Sequence, residues 1–140
     1  MAARAVTRDN LGAWLFKCAR RLSTELHGTV DVARVTSRCV VRGYRAAMMQ
    51  PGDRVVLWVS GDGRWMTRGI WGIGHVTGAV NGTADRPSVP MDIPIFASAL
   101  TDADLRAAGI GDLEVQRMPA GSNPSWVSKQ QWEAIEVLLP

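Results

Sequence analysis

Two apolar runs bounded by turn residues constrain this chain more than any other feature of its 140 residues. Arg54-Val55-Val56-Leu57-Trp58-Val59-Ser60 is rich in β-branched residues and lies between Pro51-Gly52-Asp53 and Gly61-Asp62-Gly63. That pattern predicts a strand. Gly69-Ile70-Trp71-Gly72-Ile73-Gly74-His75-Val76 predicts a second one, with Gly72 and Gly74 alternating with Trp71, Ile73 and His75. A glycine inside a strand weakens it and marks a bend, a bulge or a close approach by backbone or ligand. A tightly curved barrel wall or a gap kept open for a guest would each explain it.

The remaining elements are short. Residues 1–12 read as a loose leader, and Ala13-Trp14-Leu15-Phe16 as a buried strand ending at Lys17-Cys18. Residues 20–27 suit a helix stopped by Gly28, part of 30–41 a strand, and 44–49 a helix. Residues 80–90 form a polar loop, and Val89 to Phe96 a strand that Pro90 and Pro94 confine to an edge or bulge. Thr101 with Asp104 opens a helix that Gly109 closes. Residues 113–118 suit a short strand and 119–124 a loop. Ser128 and Gln131 form a capping box, with Val127 and Trp132 as its hydrophobic staple. Trp132, Ile135, Leu138 and Leu139 then share a core-facing stripe. Long helices do not alternate with the strands, so a doubly wound parallel sheet is disfavoured. The expected fold is α+β and mostly β, a small pseudo-barrel of five or six strands with short peripheral helices, a single domain over 13–140.

Composition excludes several function classes. Hydrophobic residues make up 46% and charged residues 21%, ordinary for a globular chain. Cys18 and Cys39 form no C-x-x-C pair, and neither His27 nor His75 stands at zinc-like spacing from them. No metal and no cofactor are expected. No apolar stretch nears the roughly 20 residues of a membrane span, and no signal-like run follows Arg4, Arg8 and Asp9. A soluble, cytoplasmic protein with no membrane partner is expected. Residues 1–50 carry nine Lys or Arg against three acidic residues, and residues 51–140 carry seven against ten. The basic half would attract phosphate through counterion release, although a solvated surface accounts for it equally well.

Six of the nine aromatic residues are tryptophans. Trp14, Trp71 and Trp132 read first as core, and Trp71 is also carried as a ligand candidate. Trp58 shares a strand face with Ser60, and Trp126 follows a Gly-Ser-Asn-Pro-Ser loop. Those two suit the walls of a slot for a flat base, where stacking contributes roughly 1–3 kcal/mol per base. Lys17, Ser60 and Asn123 would read its edge. There is no G-x-S-x-G and no P-loop, His75 reads as a core histidine, and Cys18 as structural or pocket-lining.

Four segments together resemble EVE domains from about Ala13 to the end. Ala13-Trp14-Leu15-Phe16-Lys17-Cys18 resembles their W-L-x-K-S strand, and Pro51 to Ser60 their pGD-x-v-x-x-y-x-s strand. Gly69 to Val76 resembles G-I-x-G-I-x-x-V, and Ser128 to Leu139 the closing lt-x-eE-x-x-I helix. The resemblance implies a PUA-like fold, related to YTH domains, that binds a modified base of DNA or RNA, expected to be methylated, in an aromatic pocket. By family position that pocket gathers Lys17, Cys18, Trp58, Ser60, Asn123 and Trp126. The family's G-V-R-N-Y falls on 36–40, which brings in Arg38 and Cys39, or in a shifted register on 41–44. Either register loses the Asn, and Cys18 replaces the family's Ser.

Three functions are consistent with these residues. The first is a non-enzymatic reader of a modified nucleobase. The second resembles small ASCH-type amidohydrolases acting on an acylated nucleoside, which need a Lys such as Lys17 beside a carboxylate and a hydroxyl. The third is a protein-interaction module with a vestigial pocket, for which an exposed Trp65 and a homodimer would speak.

Overall fold

The computed structural model describes residues 5–18, 34–60, 67–82, 87–121 and 123–139. The expected helix over 20–27, His27, the break at 61–63 and Trp65 lie outside the described residues. Among the described residues the strands are β1 Leu11–Cys18, β2 Arg34–Cys39, β3 Arg54–Val59, β4 Gly69–Val76, β5 Asn81–Gly82, β6 Pro87–Thr101 and β7 Ser125–Ser128. The helices are α1 Tyr44–Met48, α2 Asp102–Ala107, α3 Glu114–Arg117 and α4 Lys129–Leu138. The fold is α+β and mostly β. Its sheet runs β2-β6-β4-β3-β1-β7, with β5 paired to β6. Among the described residues β1 and β3 pair in parallel and the other ladders are antiparallel.

The sheet curls without closing into a barrel. Its ends are β2 and β7, and among the described residues no ladder joins them. Beyond β2, the Val41 N–H donates to the Asn123 carbonyl at 2.9 Å, just ahead of β7. Alternation along the central strands divides the core in two, as a pleated sheet covered on both faces requires. Trp14, Phe16, Val55, Leu57 and Val59 fill the concave interior with Val89, Met91 and Ile93 of β6. Ala13, Leu15, Val56, Trp58 and Ile70 face outward under Leu105, Val115, Trp132 and Ile135 of the helices.

The glycines of β4 serve curvature rather than a guest. A Cβ at Gly72 would press on the Ile93 side chain and the Pro94 carbonyl, and one at Gly74 would overlap the Asp92 carbonyl. Bare backbone there lets β6 approach β4. β6 pairs on both sides, with β4 and β2, so its prolines do not make it an edge strand. They lie beside a register shift between Val35 and Ser37.

Three local expectations need correction. Residues 5–10 are not a loose leader: Val6 is 3% exposed, and Arg8 makes a two-bond ion pair with Asp53 at 2.8 and 2.9 Å. Residues 113–118 contain a helix rather than a strand, because Gln116 folds back to accept the Leu113 N–H at 2.9 Å and donates to the Ile110 carbonyl and Asp102. The expected loop over 80–90 also holds a short ladder, Asn81 with Ser88 and Gly82 with Pro87. Both capping boxes form, Thr101 with Asp104 and Ser128 with Gln131. Substituting Gly74→Ala forces β4 and β6 apart. Urea unfolding should show a loss of about 3 kcal/mol, as for an overpacked core.

Candidate functional site

At the C-terminal end of β1 the chain ends of several elements meet. Helix α1 follows β2 by a short turn, residues 118–121 follow α3, and 123–124 lead into β7. Between them lies a cavity of about 310 Å³, walled by 41–45, Glu114, Met118, Gly121, Asn123 and Pro124. Its apolar walls are unusually open. Val41, Tyr44 and Met118 are each more than half exposed.

The charged wall is an ion pair made from distant sequence. Arg45 holds Glu114 through two bonds, 2.7 and 2.8 Å, and also donates to the Pro124 carbonyl at 3.1 Å. Ser125 Oγ donates to Glu114 at 2.9 Å. Burial opposes the Glu114 charge, yet the bonds from Arg45 and Ser125 outweigh it and hold the carboxyl below its ordinary value. Hydrogen bonding to Glu114 holds Arg45 above its own, against burial. Arg45 lowers the Tyr44 hydroxyl, which also accepts the Val6 N–H at 3.2 Å.

Behind this wall Asn123 clamps the end of β1. Its side-chain oxygen accepts the Lys17 N–H at 2.9 Å and its side-chain amide donates to the Lys17 carbonyl at 3.2 Å. Arg38 donates to that same carbonyl at 3.2 Å. The Lys17 ammonium donates to the Gly121 carbonyl. Burial pushes Lys17 below its ordinary value, Glu114 pulls it up, and Arg45 adds to the lowering.

Of the nine residues expected at a site, Lys17, Arg38 and Asn123 therefore converge, and Asn123 lines the cavity. The indole slot does not form. Trp58 is 2% exposed and packs under the helices, whereas Trp126 is 8% exposed and belongs to the concave core. Opposite faces of one sheet cannot sandwich a ring. Trp71 is half-buried, its indole N–H donating to the Thr67 carbonyl at 2.7 Å. The Ser60 hydroxyl is buried without a partner among the described residues, and Cys39 is exposed on β2. Cys18 contributes backbone, opposite Val59; its side chain lies outside what is described. His75 is exposed rather than a core histidine.

The sequence reading missed Arg45, Glu114, Met118 and Gly121, and touched Tyr44 only through the shifted register of the family motif. One signal pointed to Glu114: an acidic residue followed by a capping Gln116 suits a first helical turn, which a strand reading of 113–118 overlooks. Among the described residues no three His, Cys, Asp or Glu cluster to hold a metal. No described helix is long and apolar enough to cross a membrane.

No protein-family model matches the chain, and no curated protein matches it significantly. Solved structures similar to it include the NMR structure of Rpa0253 from Rhodopseudomonas palustris. That match has 16% identity over 93% of this chain and 97% of that one, with a TM-score of 0.62. The crystal structure of PSPTO5229 from Pseudomonas syringae matches at 18% identity over 90% and 98%, with a TM-score of 0.57. Both are structural-genomics targets, and at these identities the likeness carries the fold alone.

Glu114 makes the cavity wall pH-sensitive. A carboxyl whose folded pKa is depressed stabilises the fold above its unfolded value and loses that contribution as pH falls toward the folded value. Glu114→Gln should cost about 2 kcal/mol at neutral pH, less than a fully buried pair because both groups keep some solvent contact. The difference from wild type should shrink as pH drops below the ordinary carboxyl value of 4.5. Denaturant titrations at pH 7 and in mild acid test this; an equal difference at both would refute it.

Proposed function

We propose that this chain is a binding module that takes a single modified nucleobase, carried by DNA or RNA, into the cavity beside Tyr44. The observation that carries the reading is the cavity itself: open apolar walls around a fixed Arg45–Glu114 pair. At about 310 Å³ it sits at the small end of ligand sites. That suits one ring system better than a peptide. Tyr44 offers the flat aromatic wall that the indoles do not. Val41 and Met118 offer apolar contact for an added methyl, where burial contributes about 0.8 kcal/mol. Extracting a base from a stack costs a few kcal/mol, and stacking on Tyr44 would offset part of that. The basic first half of the chain supports attraction to phosphate.

Titration with methylated and unmodified oligonucleotides, followed by calorimetry, tests this. Tyr44→Ala should weaken binding roughly tenfold, as for one stacked base, while Tyr44→Phe changes it little. No binding of any base or oligonucleotide would end the proposal.

A second reading rests on a different observation. Lys17 lies within electrostatic reach of Glu114, which in turn holds the Ser125 hydroxyl. A lysine, a carboxylate and a hydroxyl are the groups an amidohydrolase of acylated nucleosides needs. Ser125 is 1% exposed, which disfavours it as a nucleophile. If this reading holds, the protein releases free acid from an acylated cytidine and Lys17→Ala abolishes the release. Absence of turnover by the wild type excludes it.

A further inference from the structure

At the other end of β1 lies a second recess, also about 310 Å³, with polar walls. It is bounded by Arg8, Gly12, Gly52, Asp53, Arg54 and His75. Gly52 has φ +91°, and a Cβ there would meet no atom, so the turn leaves the recess open on that side. Arg54 and His75 are paired across β3 and β4, so their side chains stand next to one another on one face.

The charges in the recess do not balance. Asp53 is saturated by two bonds from Arg8, the Trp14 indole N–H at 3.0 Å and the Gln50 N–H at 2.9 Å. Asp92, opposite His75 on β6, is turned to Arg34. The Arg54 and His75 side chains make no hydrogen bond or ion pair among the described residues. Arg54 instead lies over the Trp132 ring, 4.3 Å from its centroid. That contact holds the guanidinium in place while its N–H groups have no hydrogen-bond partner among the described residues, an arrangement suited to a phosphate.

We infer that this recess is a phosphate-binding site, with the Arg54 fork donating to two oxygens and the His75 imidazole to a third. It stands apart from the base cavity, since β1 separates Gly12 from Lys17 by roughly 16 Å at ordinary strand rise. The ligand is a phosphate group, either free or as one link of a phosphodiester chain. Amide NMR titrations of the full chain with inorganic phosphate, and separately with a short oligothymidylate, test it. Resonances of Arg54, Gly74 and His75 should move, and Arg54→Gln should weaken that response about tenfold through loss of charged hydrogen bonds. His75→Gln is a second variant on an exposed position. A response to phosphate alone assigns the site to a free or terminal phosphate, and a response to the oligomer alone assigns it to a diester chain. Silence of these resonances with both probes, or shifts that Arg54→Gln leaves unchanged, would overturn the site. Base binding at Tyr44 reads out on separate resonances, so either site can fail without the other.

Discussion

Burial of β1 and β3 on both faces is the constraint on which the rest of this fold depends. Ala13 to Phe16 and Val55 to Val59 are all removed from solvent. A strand pair buried on both sides needs a cover for each. Curling of the sheet, with β6 folded over, supplies one. The layer of α2, α3 and α4 supplies the other. The close approach of β6 to β4 depends in turn on the missing side chains of Gly72 and Gly74.

Once both faces are consumed by packing, open polar sites are left to the ends of the strands. Each end is built in a similar way. A partly buried carboxylate accepts two bonds from an arginine remote in sequence and another from a neighbouring side chain: Asp53 with Arg8 and the Trp14 indole, Glu114 with Arg45 and the Ser125 hydroxyl. Removing one member of such a pair leaves a poorly solvated charge, so these groups anchor the ends firmly even where their net contribution is small. The difference between the ends is what remains over. Beside Glu114 there is open apolar wall; beside Asp53 there is a stacked arginine with unused donors.

Much of the architecture was legible locally. Turn residues, β-branched runs and capping boxes act within a few positions, and β3, β4, α1 and both capped helices appear close to where their residues predict them. The segment around Glu114 was misread because a four-residue helix has too short a period to announce itself. The leader was misread because the partners of Arg8 and Val6 lie some forty positions away. Lys17, Arg38 and Asn123 do come together, because Arg38 and Asn123 both bond the Lys17 backbone at the end of β1.

The sequence by itself determined the class of fold, most strand and helix positions and the absence of common catalytic motifs, because those follow from short-range pattern and composition. The tertiary structure alone decided which face each tryptophan takes. Strand alternation says that Trp58 and Val59 point opposite ways, but not which face receives the helices. It also decided which arginine meets which carboxylate. Those pairings span 45 and 69 residues, and only the curl of the sheet brings them together.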